Sequence, residues 1–165
     1  MMAALMLQRL GEQNRHIWLY DTYAGMSEPS EQDGVDARRR WSEARTGDHT
    51  DWCYAPLADV RRNLLTTGIS PDLLRCVQGR VEDTIPGEAP ERISILRLDT
   101  DFYESTRHEL EHLYPRLVDR GVLILDDYGH WGGARQAVDE YFSSTRARPL
   151  LARLDYTGRV GVKRG

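Results

Sequence analysis

Four aspartates stand in two close pairs, Asp99 with Asp101 and Asp126 with Asp127, and each pair follows a β-rich apolar run, Ile93–Leu98 or Val122–Leu125. Carboxylates gathered at one place repel each other unless a cation or shared protons offset the charge. A hard divalent ion with oxygen ligands, such as magnesium, is the simplest answer. Any one aspartate at a strand end has a plain competing reading as an exposed turn residue. Two pairs at matching strand ends weigh towards the metal.

The elements around them explain why the pairs should meet. Between the two runs lies a segment with helical spacing, and strand, helix, strand of this length is a βαβ unit with parallel strands. Their carboxyl ends then share one edge of the sheet, where open α/β folds bind ligands. Upstream, Met1–Leu10 reads as a helix, apolar nearly all round, and is expected to be buried. A strand over Ile17–Tyr20 ends in Asp21, which is placed to take the two hydroxyls of a ribose or simply to form a turn. A helix over Leu57–Thr66 and a strand over Leu73–Val77 follow, the strand leading into Gln78-Gly79. Gly79 allows close approach of a flat ligand, or supplies a turn.

The polar stretch 28–56, with Trp41 and Trp52, reads as a lid or insertion carrying a short helix over Ala37–Arg45. After the central unit, Gly132-Gly133 opens a helix to about Ser144. Leu150–Leu154 and Val160–Lys163 flank a hairpin turn. The order predicts an α/β sandwich, residues 1–165 as a single domain, with a mostly parallel sheet and an antiparallel C-terminal hairpin.

A net charge of −4 and a pI near 5.7 argue against a nucleic-acid or anionic-membrane partner. Met1–Leu7 is too short to span a membrane and lacks the flank and cleavage site of a signal peptide. Cys53 and Cys76 fit no disulfide framework or zinc spacing, so a cytoplasmic location is expected. One motif is declined. His108-Glu109-Leu110-Glu111-His112 matches the zinc-protease helix H-E-x-x-H. However, Leu110, Leu113 and Leu117 form an apolar stripe that puts both histidines on the opposite, solvent-facing side, and no third ligand is marked.

Three segments together, IWLYDTYAGM, LRLDTDFYEST with HLYPRL, and LILDDYGHWGGARQAVDEY, resemble the macrocin O-methyltransferase (TylF-type) family, with GRVEDTIP as a weaker fourth match. The resemblance runs from Ile17 over nearly the whole remaining chain. It implies a Rossmann-like methyltransferase fold with a seven-stranded sheet. It also implies S-adenosylmethionine and Mg2+ as cofactors, and a hydroxyl of a sugar or glycosylated natural product as acceptor. By the same carry-over Asp99, Asp126 and Asp127 hold the metal and Asp101 is the base. Asp21 and Thr22 meet the cofactor ribose, Tyr23 and the turn Gly79, Arg80, Val81 lie near its adenine, and Asp99 borders the cofactor. A small sugar-containing molecule is then the partner, and a homo-oligomer is compatible with the pattern. The family's glycine-rich loop and first strand should precede Met1, so the crevice is expected to be incomplete as written and donor binding weak.

Two other classes compete. One is a catalytically inactive remnant or binding module of the same fold. The other is an Asp-x-Asp phosphoryl-transfer enzyme, since Asp99-Thr100-Asp101 follows a strand; Tyr103 stands where that chemistry wants Thr or Val.

Overall fold

The computed structural model describes residues 1–145 and 148–164. β5 (Ile93–Leu98) and β6 (Leu117–Leu125) run parallel, with Leu96 opposite Leu123 and Leu98 opposite Leu125. α5 (Tyr103–Leu113) makes the crossover between them, as the apolar periodicities require. β6 begins five residues before the apolar run predicted it, because Leu117 is buried and pairs with Ile93. The polar Asp119-Arg120 step hid this. The ladder shifts register there, from Ile93 opposite Leu117 to Ile95 opposite Val122, so β6 carries three extra residues, and Arg120 takes a φ of +61° within that irregularity.

The other edge of β6 takes β8 (Arg159–Val162) antiparallel, and β7 (Ala152–Arg153) completes the order β5-β6-β8-β7. The expected hairpin is present. Its turn is built on Asp155, whose Oδ1 accepts the N–H groups of Thr157 (2.9 Å) and Gly158 (2.6 Å). Past β8, the Lys163 ammonium donates to the carbonyls of Tyr114 (3.0 Å) and Leu117 (2.7 Å). It thereby satisfies acceptors that the end of the crossover leaves open.

α5 packs on α6 (Gly132–Ser143), and Leu110, Leu113, Val138 and Phe142 are all buried. Each such side chain contributes roughly 1.5–3 kcal/mol of apolar burial. Tyr114 meets Phe142 edge-on at 5.0 Å. These elements, α4 (Val81–Thr84) and the segment Glu28–Glu43 form one compact unit.

The second unit comprises Met1–Ser27 and Ala44–Arg80. Here β1 (Ile17–Asp21) and β4 (Leu74–Gln78) form a parallel pair with Asp21 opposite Gln78. Ala4 of α1 (Met2–Arg9) and Leu64 of α3 (Leu57–Leu65) form its core with Ile69 and Leu74. β2 (Arg45–Thr46) and β3 (His49–Thr50) make a small hairpin. Gly25 lies against this hairpin at φ +83°, and a Cβ there would run into the Thr50 backbone.

One expectation changes. α1 forms where predicted but is not buried: only Ala4 is, while Met2 and Leu10 are each 73% exposed. Apolar residues surround the helix, yet its unit offers it one packing surface. Among the described residues the strands form separate sheets, with β1 parallel to β4 and β5 parallel to β6. Stretch 28–56 holds a 3-10 turn, α2 (Gly34–Ala44) where a short helix was expected, and the β2–β3 hairpin, and it divides between the two units. No described helix is long and apolar enough to cross a membrane.

Candidate functional site

The carboxyl ends of β5 and β6 bring the two aspartate pairs together. Asp99 follows Leu98, and Asp126 follows Leu125 with its N–H donated to the Leu98 carbonyl (3.0 Å). Oxygens of Asp99, Asp101 and Asp127 all lie within 4.8 Å of one another. Asp126 takes a different partner. The Arg97 guanidinium donates to Asp126 Oδ1 (3.0 Å) and to Asp99 Oδ2 (2.7 Å). Arg97 is a cation that the sequence reading missed, since a strand arginine flanked by leucines carries no motif.

Electrostatics follow from the crowding. Burial, and then the adjoining Asp126 carboxyl, push Asp99 up to about 7. Burial and the neighbouring Asp101 push Asp127 up to about 8. Burial raises Asp101 as well, against the pull of hydrogen bonds from Asp127 and Trp131. All three carboxyls shift upward, with burial the leading cause in each and the neighbouring carboxylates adding to it. In addition, Asp127 Oδ2 is buried with no hydrogen-bond partner. Such an atom is costly unless something outside the chain satisfies it. An all-oxygen donor set with an orphaned buried oxygen fits magnesium.

Asp101 has an unusual backbone. Its φ is +66°, and the Phe102 N–H donates to the Thr100 carbonyl at 2.8 Å, closing a three-residue turn around it. Strained turns persist only where the surroundings hold them. Here Ser105 Oγ donates to the Thr100 carbonyl (3.2 Å), and the Thr100 hydroxyl donates to Glu109 Oε2 (3.0 Å). Just beyond, the Tyr103 N–H at the start of α5 donates to Asp33 Oδ1 (2.7 Å). Asp33 also accepts from the Ser30 N–H (2.8 Å) and hydroxyl (2.7 Å). The segment 28–43 is thereby fastened to the same helix.

The expected nucleoside-binding residues divide between the units. In the unit of Met1–Ser27 and Ala44–Arg80, exposed Asp21 ends β1, and its Oδ1 accepts the Tyr23 N–H (2.7 Å). Its carbonyl accepts the Gly79 N–H (3.0 Å). The Thr22 hydroxyl donates to the Gly25 carbonyl (2.6 Å). Tyr23 is buried at φ +53° and its hydroxyl reaches the Leu19 carbonyl (3.4 Å). Gly79 has φ +143° and Arg80 is exposed. An exposed carboxylate beside a glycine turn, both at the carboxyl ends of a parallel pair, fits the ribose end of S-adenosylmethionine. Val81 and Asp99 belong to the other unit, Val81 buried as the first residue of α4.

The H-E-x-x-H segment corrects one expectation. His108 is not on a solvent face: it is half-buried, with Nε2 2.8 Å from the Ile85 carbonyl, and its ring lies 4.4 Å from that of His112. Glu109 between them is fully buried. The predicted stripe of three leucines does not lie on one helix, since Leu117 opens β6 and only Leu110 and Leu113 are on α5, and it understated how wide a face α5 buries, because α4 packs on it as well as α6.

Comparison with known proteins shows the family. A profile of the macrocin-O-methyltransferase (TylF) family matches residues 1–161. The 8-demethyl-8-(2,3-dimethoxy-alpha-L-rhamnosyl)-tetracenomycin-C 4'-O-methyltransferase of Streptomyces olivaceus is 35% identical over 152 residues, covering 92% of this chain and 56% of that protein. The mycinamicin III 3''-O-methyltransferase of Micromonospora griseorubida is 34% identical over 131 residues, 78% of this chain and 49% of its own length. The chain thus spans about half the length of the curated relatives it matches. Among solved structures, the O-methyltransferase NovP superposes with a TM-score of 0.84 at 26% identity, covering 99% of this chain and 67% of NovP. The calicheamicin methyltransferase CalS11 shares the fold at a TM-score of 0.73 and 20% identity, over 96% of this chain and 65% of its own. With an α/β fold, a parallel strand pair ending in clustered aspartates and a family match over nearly its whole length, this chain belongs to the macrocin-O-methyltransferase family.

Proposed function

We propose that this protein is a magnesium-dependent, S-adenosylmethionine-dependent O-methyltransferase that acts on a hydroxyl of a sugar or glycosylated natural product. The observation that carries the reading is the gathering of Asp99, Asp101 and Asp127 at one strand edge, with an unsatisfied buried oxygen on Asp127. The relatives named for sugar-bearing acceptors support the substrate class.

Asp99 and Asp127 hold the ion, and Asp126 supplies a third carboxylate that it shares with Arg97. Bound magnesium supplies positive charge that lowers the pKa of an acceptor hydroxyl, and S-adenosylmethionine supplies an electrophilic methyl carbon. Asp101 lies among the same oxygens and would take the hydroxyl proton as the acceptor oxygen bonds to the methyl carbon and the carbon–sulfur bond breaks, S-adenosylhomocysteine leaving with the electron pair. Asp21, Thr22, Tyr23 and the Gly79, Arg80, Val81 turn serve the nucleoside end of the donor, with Asp99 at its border. The segment 28–43, anchored through Asp33, would shape the acceptor pocket and exclude water.

The test is S-adenosylhomocysteine release from S-adenosylmethionine and a rhamnosylated polyketide, with magnesium added or chelated. Release that appears with magnesium and stops with chelator is expected, together with one-to-one magnesium binding that is lost in Asp127→Asn. Methyl transfer unaffected by chelator would sink the metal assignment.

A further inference from the structure

Glu109 is a buried carboxyl of α5 that neither metal binding nor proton transfer uses. It is 5% exposed, and it accepts a hydrogen bond from the Thr100 hydroxyl at 3.0 Å. Thr100 stands between Asp99 and Asp101, and its carbonyl closes the turn that holds Asp101 at φ +66°. A left-handed backbone on a non-glycine residue is unfavourable by roughly 1–3 kcal/mol unless neighbours fix it. The Ser105 hydroxyl and the Phe102 N–H fix Thr100 through its carbonyl. The side chain of Thr100 has to be fixed separately, and Glu109 is what α5 offers it.

We propose that Glu109 is a positioning residue for the metal turn: through the Thr100 hydroxyl it locks the Asp99–Asp101 segment in the conformation that holds Asp99 at the ion and Asp101 beside it. This rests on the magnesium reading given above for what the carboxylates do, but the bracing itself is a property of the fold. Burial pushes Glu109 up to about 8, so at neutral pH it is largely the neutral acid. A neutral acceptor braces the turn without adding a further negative charge beneath an already crowded cluster. The same glutamate completes the H-E-x-x-H pattern, so a sequence that resembles a zinc helix has its acid turned inward to support an oxygen site instead.

Three variants separate bracing from mere packing. Glu109→Gln keeps the size and the acceptor oxygen. Glu109→Leu keeps most of the volume and removes the acceptor. Thr100→Val removes the donor. Two readouts are taken on each folded variant: magnesium affinity by calorimetry, and hydrogen exchange of the Phe102 amide by NMR. For Glu109→Leu and for Thr100→Val we expect magnesium to bind about five- to tenfold more weakly and the Phe102 amide to exchange at least about tenfold faster. The double variant should be no worse than either single one, since both remove the same interaction. Glu109→Gln should stay within about twofold of the parent in both. If Glu109→Leu leaves the Phe102 amide as protected as the parent, or if Glu109→Gln is as damaging as Glu109→Leu, the proposal is overturned. A parent chain that binds no magnesium refutes the metal reading, and the amide exchange still decides the role of Glu109.

Discussion

Replacing Arg97 with methionine should tighten magnesium binding, although it removes two ion pairs. Arg97 contributes a full positive charge at 2.7 Å from Asp99 Oδ2 and 3.0 Å from Asp126 Oδ1. An incoming divalent ion competes with it for the same oxygens and is repelled by it. Two unit charges about 4 Å apart interact by roughly 1 kcal/mol in bulk water and roughly 4 kcal/mol at an effective dielectric of 20. Half the Arg97 side chain is exposed (52%), which places the pair towards the water end of that range. A gain of about 1–1.5 kcal/mol is therefore expected, which is about a five- to tenfold lower Kd. Methionine keeps much of the aliphatic stem on β5. Calorimetric titration with magnesium at low salt measures the change directly, and the difference between variant and parent should shrink at ~1 M salt, where charges are screened within ~3 Å. Equal or weaker binding by a folded Arg97→Met protein would mean that Arg97 chiefly holds Asp99 in place, and the competition argument would fail.

Asp101→Asn should lower turnover at least a hundredfold, within the ~10²–10⁴ range of general-base catalysis, while weakening magnesium only slightly. Asp99→Asn and Asp127→Asn should weaken the metal more than about tenfold, and an Asp101→Asn protein as poor in metal as Asp99→Asn would make Asp101 a ligand instead. Glu109→Gln should also change the pH dependence of stability. The folded pKa is raised from 4.5 to about 8, so the stabilisation from this group is full below pH 4.5 and lost as pH rises through 8. Urea denaturation should therefore show the glutamine variant gaining on the parent from about pH 5 to pH 8, on the order of a few kcal/mol, at ~1.4 kcal/mol per pKa unit; a gap that is flat or closes would refute it. Asp33→Ala removes an acceptor for the Tyr103 and Ser30 N–H groups, and about 1–2 kcal/mol should be lost, with proteolysis beginning in segment 28–43. Gly133→Ala should have a similar signature, since its Cβ would fall on the Asp33 carboxylate and 3.1 Å from Tyr103 Cβ.

The strands and their acidic ends were legible because local signals coincide there. Ile93–Leu98 is apolar, β-branched and followed at once by acid, and the strand matches those bounds. The Asp155–Gly158 turn carried its own chemistry in the Asp and Gly. What stayed hidden was tertiary. Nothing local to Arg97 says that its guanidinium will bridge the two aspartate pairs, because its partners come from two strand ends. Glu109 carried no local sign of burial, yet it is 5% exposed and its partner, Thr100, lies nine residues before it beyond the end of β5. Asp33 lies in a stretch that reads as polar loop, and its partner at Tyr103 is distant in the chain. The apolar α1 misled in the opposite sense: composition predicts a wish for burial, and packing decides whether it is met.

The left-handed backbone at Asp101 restricts how this site can change by single substitutions. Asparagine and glycine tolerate a φ of +66° but bring no negative charge. Glutamate brings the charge, yet it fits that backbone poorly and its longer arm would push the carboxylate past its neighbours. A replacement that keeps the acid therefore loses the turn, and one that keeps the turn loses the acid. A lineage that abandoned the chemistry would accept asparagine or glycine here without unfolding. One that moved the reaction to another centre would have to rebuild the loop from Thr100 to Phe102 first.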